Sequence, residues 1–320
     1  MKKYFPYILS FIALSVSLVL FLSSQSLEKS KQESPQVLAM IKSVEISNEV
    51  EFAGEKIDLT RYNNHERFDR EINILCYMHA SIMLLFKRAN RYFPIIEPIL
   101  KENNIPNDFK YLAVIESYMD PRAVSPARAA GLWQLLSGTA SEMGLEVSSE
   151  VDERYSVEKS TDAACKYLRS AYNKYGSWVN TAASYNAGMG RISNELSDQQ
   201  SDSALDLWLN TETSRYVFRM AAIKLVFESP YKHGFVLTPD ALYKPIECKD
   251  VTVTSSIDLI QFAKDQGINY ADLKEFNPWL RDDKLTVSGG KSYTIKIPTP
   301  ESLTYKDDKV KVHDKRWLAE

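Results

Sequence analysis

Apolar residues recur at three- and four-residue steps through the middle of this chain. Phe68, Ile72, Leu75, Met78, His79, Ile82 and Leu85 trace one such stripe, which predicts helix over residues 64–91. The segment YFPIIEPIL follows as a shorter apolar stretch interrupted by two prolines. Pro106 stands where a helix can begin, ahead of NDFKYLAVIES, with Asp108 in its first turn. Residues 157–175 read as a further helix with Ser160 or Thr161 near its start. Residues 178–187 read as a short one closed by Gly188 and Gly190, and 213–227 as another stopped by Pro230. The block 64–230 is therefore expected to be helical, with almost no strand signal.

The pattern changes after Pro230. HGFVLTPDALYKPIECKDVTVTSS has β-branched runs and turn residues. SIDLIQFAKDQGI and YADLKEFN are two short helical patterns, and SYTIKIP alternates as a strand does. This predicts a small separate β-α-α-β module at 249–298, reached through a connector at 231–248. The charged tail, 299–320, is expected to fray. Residues 24–63 are polar without a sustained period and read as a linker or lead-in. A fragment of residues 55–232 is then expected to fold and act by itself.

The chain opens with MKKYFPYILSFIALSVSLVLFLSSQS, two lysines ahead of an apolar run over residues 8–22. Residues 1–23 read as a secretory signal peptide or as an uncleaved signal anchor, since 4–22 is close to spanning length. Either reading exports the rest of the chain to the periplasm or cell envelope, and an anchor would associate it with the membrane.

Composition narrows the chemistry. With 320 residues, 44% of them hydrophobic, the chain can form one good-sized domain plus a smaller one. A net charge of −3 argues against a nucleic-acid binder. Cys76, Cys165 and Cys248 lack metal-ligand spacing, and an odd count leaves at least one thiol free. His65, His79, His233 and His313 are scattered, which disfavours both a zinc site and a His-based triad. No cofactor is implied.

Against that background one carboxylate stands out. Residues 112–115 are four apolar residues, Glu116 follows, and Pro121 ends any helix soon after. Apolar neighbours desolvate the acid, and the C-terminal end of a helix dipole disfavours its charge; both raise the pKa. A carboxylic acid held neutral near pH 7 suits general-acid catalysis. Taken alone, the local sequence favours a structural glutamate, paired with Arg122 or Arg128 or simply facing water.

Three stretches in order change the weighing: ESYMDPRAVSPARAAGLWQ, AASYNAGMGRI and ETSRYVFR. Together they resemble the diagnostic stretches of the lytic transglycosylases of the soluble-lytic-transglycosylase type, most closely the membrane-bound murein transglycosylase D branch. The resemblance covers about residues 64–228. Ser137 departs from it, standing where the family has proline. The resemblance implies a mainly α (α+β) chain with a lysozyme-like catalytic domain at 64–230 and peptidoglycan glycan strands as substrate. It makes Glu116 the single catalytic acid/base, and Ser117, Ser125, Gln134, Tyr185, Asn186 and Tyr216 the residues around the substrate. Trp133 reads as core, and Asp152, Glu153 and Arg154 as an ion-paired brace of a loop. VTVTSSIDLIQFAKDQGINYADLKEFNPWL with SYTIKIP resembles a LysM repeat, a module that binds N-acetylglucosamine chains, although SSID replaces the usual Gly-Asp at its first turn.

Glycosidases commonly use two carboxylates. Here no second one stands in matching surroundings, and Asp120, next to Pro121, is better explained by a turn. One acid suffices if the N-acetyl group of N-acetylmuramic acid steadies the cation at C1 and the sugar's own C6 hydroxyl attacks it. That route ends in a 1,6-anhydro sugar. A hydrolytic muramidase and a non-catalytic wall-binding protein remain the alternatives.

Overall fold

The computed structural model describes residues 43–305 and 310–318. The signal segment 1–23 and residues 24–42 of the 24–63 lead-in lie outside the described residues. No described helix is long and apolar enough to cross a membrane.

What is described of the lead-in is ordered. Strands β1 (Glu49–Phe52) and β2 (Glu55–Asp58) pair antiparallel, with Val50 opposite Ile57. Ala53 (φ 53°) and Gly54 (φ 83°) form the two-residue turn, whose left-handed backbone matches the twist of a hairpin. Val50, Phe52, Ile57 and Leu59 enter the main core. The hairpin also supplies Glu55, whose carboxylate accepts from the Val179 backbone and the Ser177 hydroxyl at the start of a later helix. Period-two alternation over so few residues was too short to register as a strand pair.

Helices α1 (Tyr62–Tyr77) and α2 (His79–Glu102) split the predicted 64–91 helix at Met78. The apolar stretch with two prolines is no separate element, because α2 runs through Pro94 and Pro98. The two prolines are one turn apart on the exposed face, while Phe93, Ile96 and Leu100 hold the buried face. After Pro106 comes a 3-10 turn, Asn107–Phe109, and only then α3 (Lys110–Ser117). Asp108 does more than suit a helix dipole. It accepts from the Ala53 backbone (2.8 Å) and pairs with Lys224 (2.9 Å).

A short α4 (Ser137–Glu142) was not foreseen. Helices α5 (Val157–Tyr175) and α6 (Trp178–Ala187) have the predicted bounds, capped by Ser156 and Ser177. The hydroxyls of Ser160 and Thr161, expected near the start of α5, instead bond back to the carbonyls of Ser156 and Val157. Then come α7 (Met189–Asp198) and α8 (Thr211–Glu228), the latter capped by Asn210. α8 packs along α1 and touches α3 and α6, so it runs through the middle of the helical core.

The C-terminal module has β3 (Cys248–Val253), β4 (Ile257–Asp258), α9 (Leu259–Asp265), α10 (Tyr270–Phe276), β5 (Lys284–Leu285) and β6 (Tyr293–Pro298). β3 pairs with β6 and β4 with β5, both antiparallel. The expected β-α-α-β order is there, with one extra pair of short strands. Asp258, in the SSID turn, caps α9 by accepting from the Gln261 backbone (2.8 Å).

Two expectations fail on the same observation, which is where the chain goes after each. The connector is not a spacer: Phe235, Leu237 and Leu242 are buried in the main core. The tail is not frayed over 310–318. Trp317 is 2% exposed and sits among Phe86, Phe93 and Phe227, and Leu318 bridges to Leu237. The Asn90 side chain accepts from the His313 backbone and donates to the Lys311 carbonyl. Charge misled the reading, because His313, Asp314 and Arg316 of this strap are paired. Asp314 holds Arg316, and the His313 ring meets Glu97 (3.1 Å), whose carboxyl is pulled down to about 2 by His313 and Lys110 despite its burial. A fragment of 55–232 would lack β1, these connector residues and Trp317, so the structure argues against its folding alone.

Candidate active site

α3 carries KYLAVIES, and Tyr111, Leu112, Ala113 and Val114 are all buried. Glu116 comes one turn later, half-buried. The helix stops at Ser117, whose buried hydroxyl donates to the Ala113 carbonyl (2.9 Å). The stop is not imposed by the residue before Pro121. Two consecutive left-handed residues, Tyr118 (φ 53°) and Met119 (φ 56°), turn the chain, burying Met119 and exposing Tyr118. Such a conformation is uncommon for residues with side chains, and it fixes where the last helical turn points.

Across from α3, the Tyr216 hydroxyl on α8 donates to Glu116 Oε1 at 2.5 Å. Glu116 titrates above its ordinary value of 4.5. Burial is the main cause; the Tyr216 hydrogen bond opposes it, the charge of Glu212 adds to it, and Arg219 opposes it. Burial and the neighbouring Glu116 charge also hold the Tyr216 and Tyr185 phenols well above the tyrosine range, so both remain neutral donors. Neither Arg122 nor Arg128 pairs with Glu116. Arg122 reaches Glu275 (2.7 Å), and Arg154 holds the Arg128 carbonyl.

The other candidates fall into three groups. Tyr185 and Tyr216 share the electrostatic neighbourhood of Glu116, and Tyr185 is held by a 2.7 Å bond to the Trp133 carbonyl. Asn186 accepts from the Thr213 hydroxyl (2.8 Å), tying the end of α6 to the start of α8. Ser125 and Gln134 lie on the loop between α3 and α4. The Ser125 hydroxyl accepts from the Ala129 backbone (3.1 Å), and the Gln134 amide donates to the Ala123 and Gly131 carbonyls (3.2 and 2.9 Å). Both therefore shape the loop. Ser117 braces its own helix, and its hydroxyl does not face out to a ligand. Asp120 accepts from the Arg122 backbone (2.9 Å), the turn role expected of it.

The loop is braced by the charged cluster. Arg154 grips Asp152 in a buried two-point fork (2.9 and 2.7 Å) and donates to the Arg128 and Leu135 carbonyls (2.9 and 3.2 Å). Gly131 lies so close beneath that a Cβ there would meet the Arg154 carbonyl at 1.8 Å. Trp133 is core, its ring N–H satisfied by the Thr161 hydroxyl at 2.8 Å.

Sequence reasoning passed over Glu212 and Arg219, which flank Tyr216 on α8 and act on the charge of Glu116. Their spacing of i, i+4 and i+7 puts them on one helical face, a signal available in the sequence. It also missed Glu71, buried on α1, which holds Arg215 (2.5 Å) and Arg219 (2.9 Å) and so fixes the face of α8 that presents Tyr216. The arrangement can keep a proton on a half-buried carboxyl, hold that carboxyl against a rigid phenol, and release the proton to a group entering beside it.

Comparison with known proteins finds matches to two family models. Residues 93–207 match the transglycosylase SLT domain, and residues 249–301 match the soluble lytic transglycosylase C-terminal LysM-like domain. The chain thus carries an SLT-type domain followed by a LysM-like one. It is 30% identical over 218 residues to membrane-bound lytic murein transglycosylase D of Escherichia coli strain K12, covering 67% of this chain and 47% of that protein. It is 28% identical over 140 residues to membrane-bound lytic murein transglycosylase F of Marinobacter nauticus, covering 40% of this chain and 26% of that one. Among solved structures, the 70 kDa soluble lytic transglycosylase of Escherichia coli aligns with a TM-score of 0.39 at 25% identity, over 45% of this chain and 24% of that chain. The chain spans about half the length of the first of these relatives.

Proposed function

We propose that this chain is a peptidoglycan lytic transglycosylase of the cell envelope. It would cleave the β-1,4 bond between N-acetylmuramic acid and N-acetylglucosamine and leave a 1,6-anhydro-N-acetylmuramic acid end. The observation that carries this is the Glu116–Tyr216 pair: one half-buried acid, raised in pKa, held at 2.5 Å by a neutral phenol. The SLT and LysM-like matches support the same reading.

In this reading Glu116 enters protonated and gives its proton to the glycosidic oxygen as the C1–O bond breaks. The substrate's N-acetyl group steadies the developing cation at C1. The carboxylate then takes the proton of the C6 hydroxyl, whose oxygen closes onto C1. Glu116 ends protonated again and no water is consumed. Tyr216 has two effects: it fixes the carboxyl's orientation, and it keeps the pKa from rising so far that Glu116 could not later act as base. Tyr185, pinned to the Trp133 carbonyl, and the loop bearing Ser125 and Gln134 would line the sugar site. Asn186 would position α8 through Thr213. The N-terminal segment would export the chain, and if uncleaved would hold it at the membrane.

A hydrolytic reading needs a second carboxylate to activate water or trap the cation. Glu212 is the carboxylate whose charge Glu116 feels, and it is exposed on the first turn of α8. Mass spectrometry of muropeptides released from purified sacculi separates the two. Products one water lighter than hydrolytic ones are expected, with Glu212→Gln still active. Hydrated products, or loss of turnover in Glu212→Gln, would replace the transglycosylase reading with the hydrolytic one. No release at all would leave only wall binding.

A further inference from the structure

The LysM-like module is inserted into the catalytic unit, not appended to it. The chain leaves along β3 and returns along β6, with Cys248 opposite Pro298, and the Thr299 N–H donates to the Glu247 carbonyl at 2.9 Å. Beyond that pair of strand ends, the chain continues into the strap that seats Trp317 in the helical core. Two adjacent strand ends are a narrow attachment, which alone would leave the module free to swing. Instead it is docked.

The centre of the docking lies at residues 150–155 on the catalytic side, with Arg122–Glu275, Lys296–Glu158 and Lys291–Glu146 pairs around it. Val151 and Leu280 form an antiparallel bridge, flanked by Asp152 N–H to the Trp279 carbonyl (2.9 Å) and Arg281 N–H to the Glu150 carbonyl (2.8 Å). The apolar core of the module takes in Ala130, Val151 and Tyr155 from the catalytic side. The Arg281 guanidinium lies 4.1 Å from the centre of the Tyr155 ring. Buried main-chain bonds and apolar contact of this kind outweigh the exposed ion pairs at the rim.

Asp152 therefore does two things at once. Its backbone is taken by Trp279 of the module, and its carboxylate is the fork that holds Arg154. Arg154 in turn grips the carbonyls of Arg128 and Leu135, on the loop that carries Ser125 and Gln134. Ala130, in the middle of that loop, pairs with Val124 and Leu135 on one side and packs into the module core on the other. The loop is thus clamped between Arg154 and the module. The helices bearing Glu116 and Tyr216 receive no such support from it.

We infer that the module is a positioning element of the active site: docking of Leu280 on Val151 sets the geometry of the loop over residues 123–135 and through it the binding of glycan beside Glu116. This rests on the transglycosylase reading for its substrate, but not for its structural part. Leu280→Asp, on the module side, and Val151→Asp, on the catalytic side, break the same contact in the full-length chain. Hydrogen exchange should then rise about tenfold in the 123–135 amides and stay unchanged in α3 and α8. On soluble glycan fragments KM should rise about tenfold, with kcat and the basic limb of the pH profile little changed, because the loop and not the acid is displaced. Leu280→Met should restore both. Unchanged exchange in the loop, in either variant, overturns the inference. So does exchange that rises equally in α3 and α8, or a loosened loop with unaltered KM. If the wild-type chain releases no anhydro product, the functional reading fails while the exchange experiment still decides the structural one.

Discussion

The acid and the loop beside it are built in opposite ways. Glu116 and Tyr216 sit on packed helices, α3 and α8, and Glu71 of a third helix, α1, holds the arginines of α8. Ser125 and Gln134 sit on a segment without helix or strand, and its shape comes from Arg154, from a glycine and from a module far along the chain. The acid is held by helices packed against one another; the loop is held by grips on a segment that has no regular structure of its own. Changes near the acid should therefore alter titration and turnover, while changes around the loop should alter stability and binding.

The sharpest break is Glu116→Gln, which should lower turnover of sacculi by about 10²–10⁴-fold, since the amide keeps the shape but has no proton to give. Its stability should also depend on pH in a definite direction. Glu116 is raised above 4.5 in the folded chain, so its protonation favours the fold. That contribution is complete below its ordinary value and is lost as pH rises through the raised one. The thermal midpoint of Glu116→Gln should therefore gain on the wild type as pH increases from about 4.5, the ordinary value of the acid. A constant difference would mean that the acid is not buried as described.

On the loop side, Gly131→Ala forces a methyl into the Arg154 carbonyl at a backbone angle of φ 77°. We expect a loss of about 2–4 kcal/mol, read by denaturant unfolding, with weaker glycan binding in whatever remains folded. Tyr216→Phe should change less. Its hydroxyl lowers the pKa of Glu116, so removing it should move the basic limb of kcat/KM to higher pH as turnover falls. A limb moving to lower pH would contradict the sign of that hydrogen bond. The smallest effect is expected at the rim of the module, where Lys291→Ala removes an exposed pair with Glu146 and should leave the denaturant midpoint nearly unchanged.

The same division explains what could be read from the chain. The bounds of α5 and α6 were legible because helix signals are local: Gly188 closes α6 as read, although Ser156, and not Ser160 or Thr161, caps α5. Glu116, Tyr185 and Tyr216 were legible because three motifs in order mark them, and the structure brings these three together. The part of Glu71 was not legible. Its partners lie on another helix, and a buried glutamate looks in sequence like any surface one. Nor was the docking of the module, which rests on backbone atoms of Glu150, Asp152 and Trp279 that no side-chain pattern reports. Pro94 and Pro98 misled because their cost depends on which face they occupy.

Trp317 carries a consequence in time. It fills the space among Phe86, Phe93 and Phe227, so residues from opposite ends of the described chain complete a single core. During synthesis, the helices that bear Glu116 and Tyr216 emerge long before the strap that closes over their neighbours. Until Trp317 arrives, the core keeps an open apolar gap, and the unit stays short of its full stability. Chain order alone would thus delay the maturing of the Glu116 site until residue 317 has emerged.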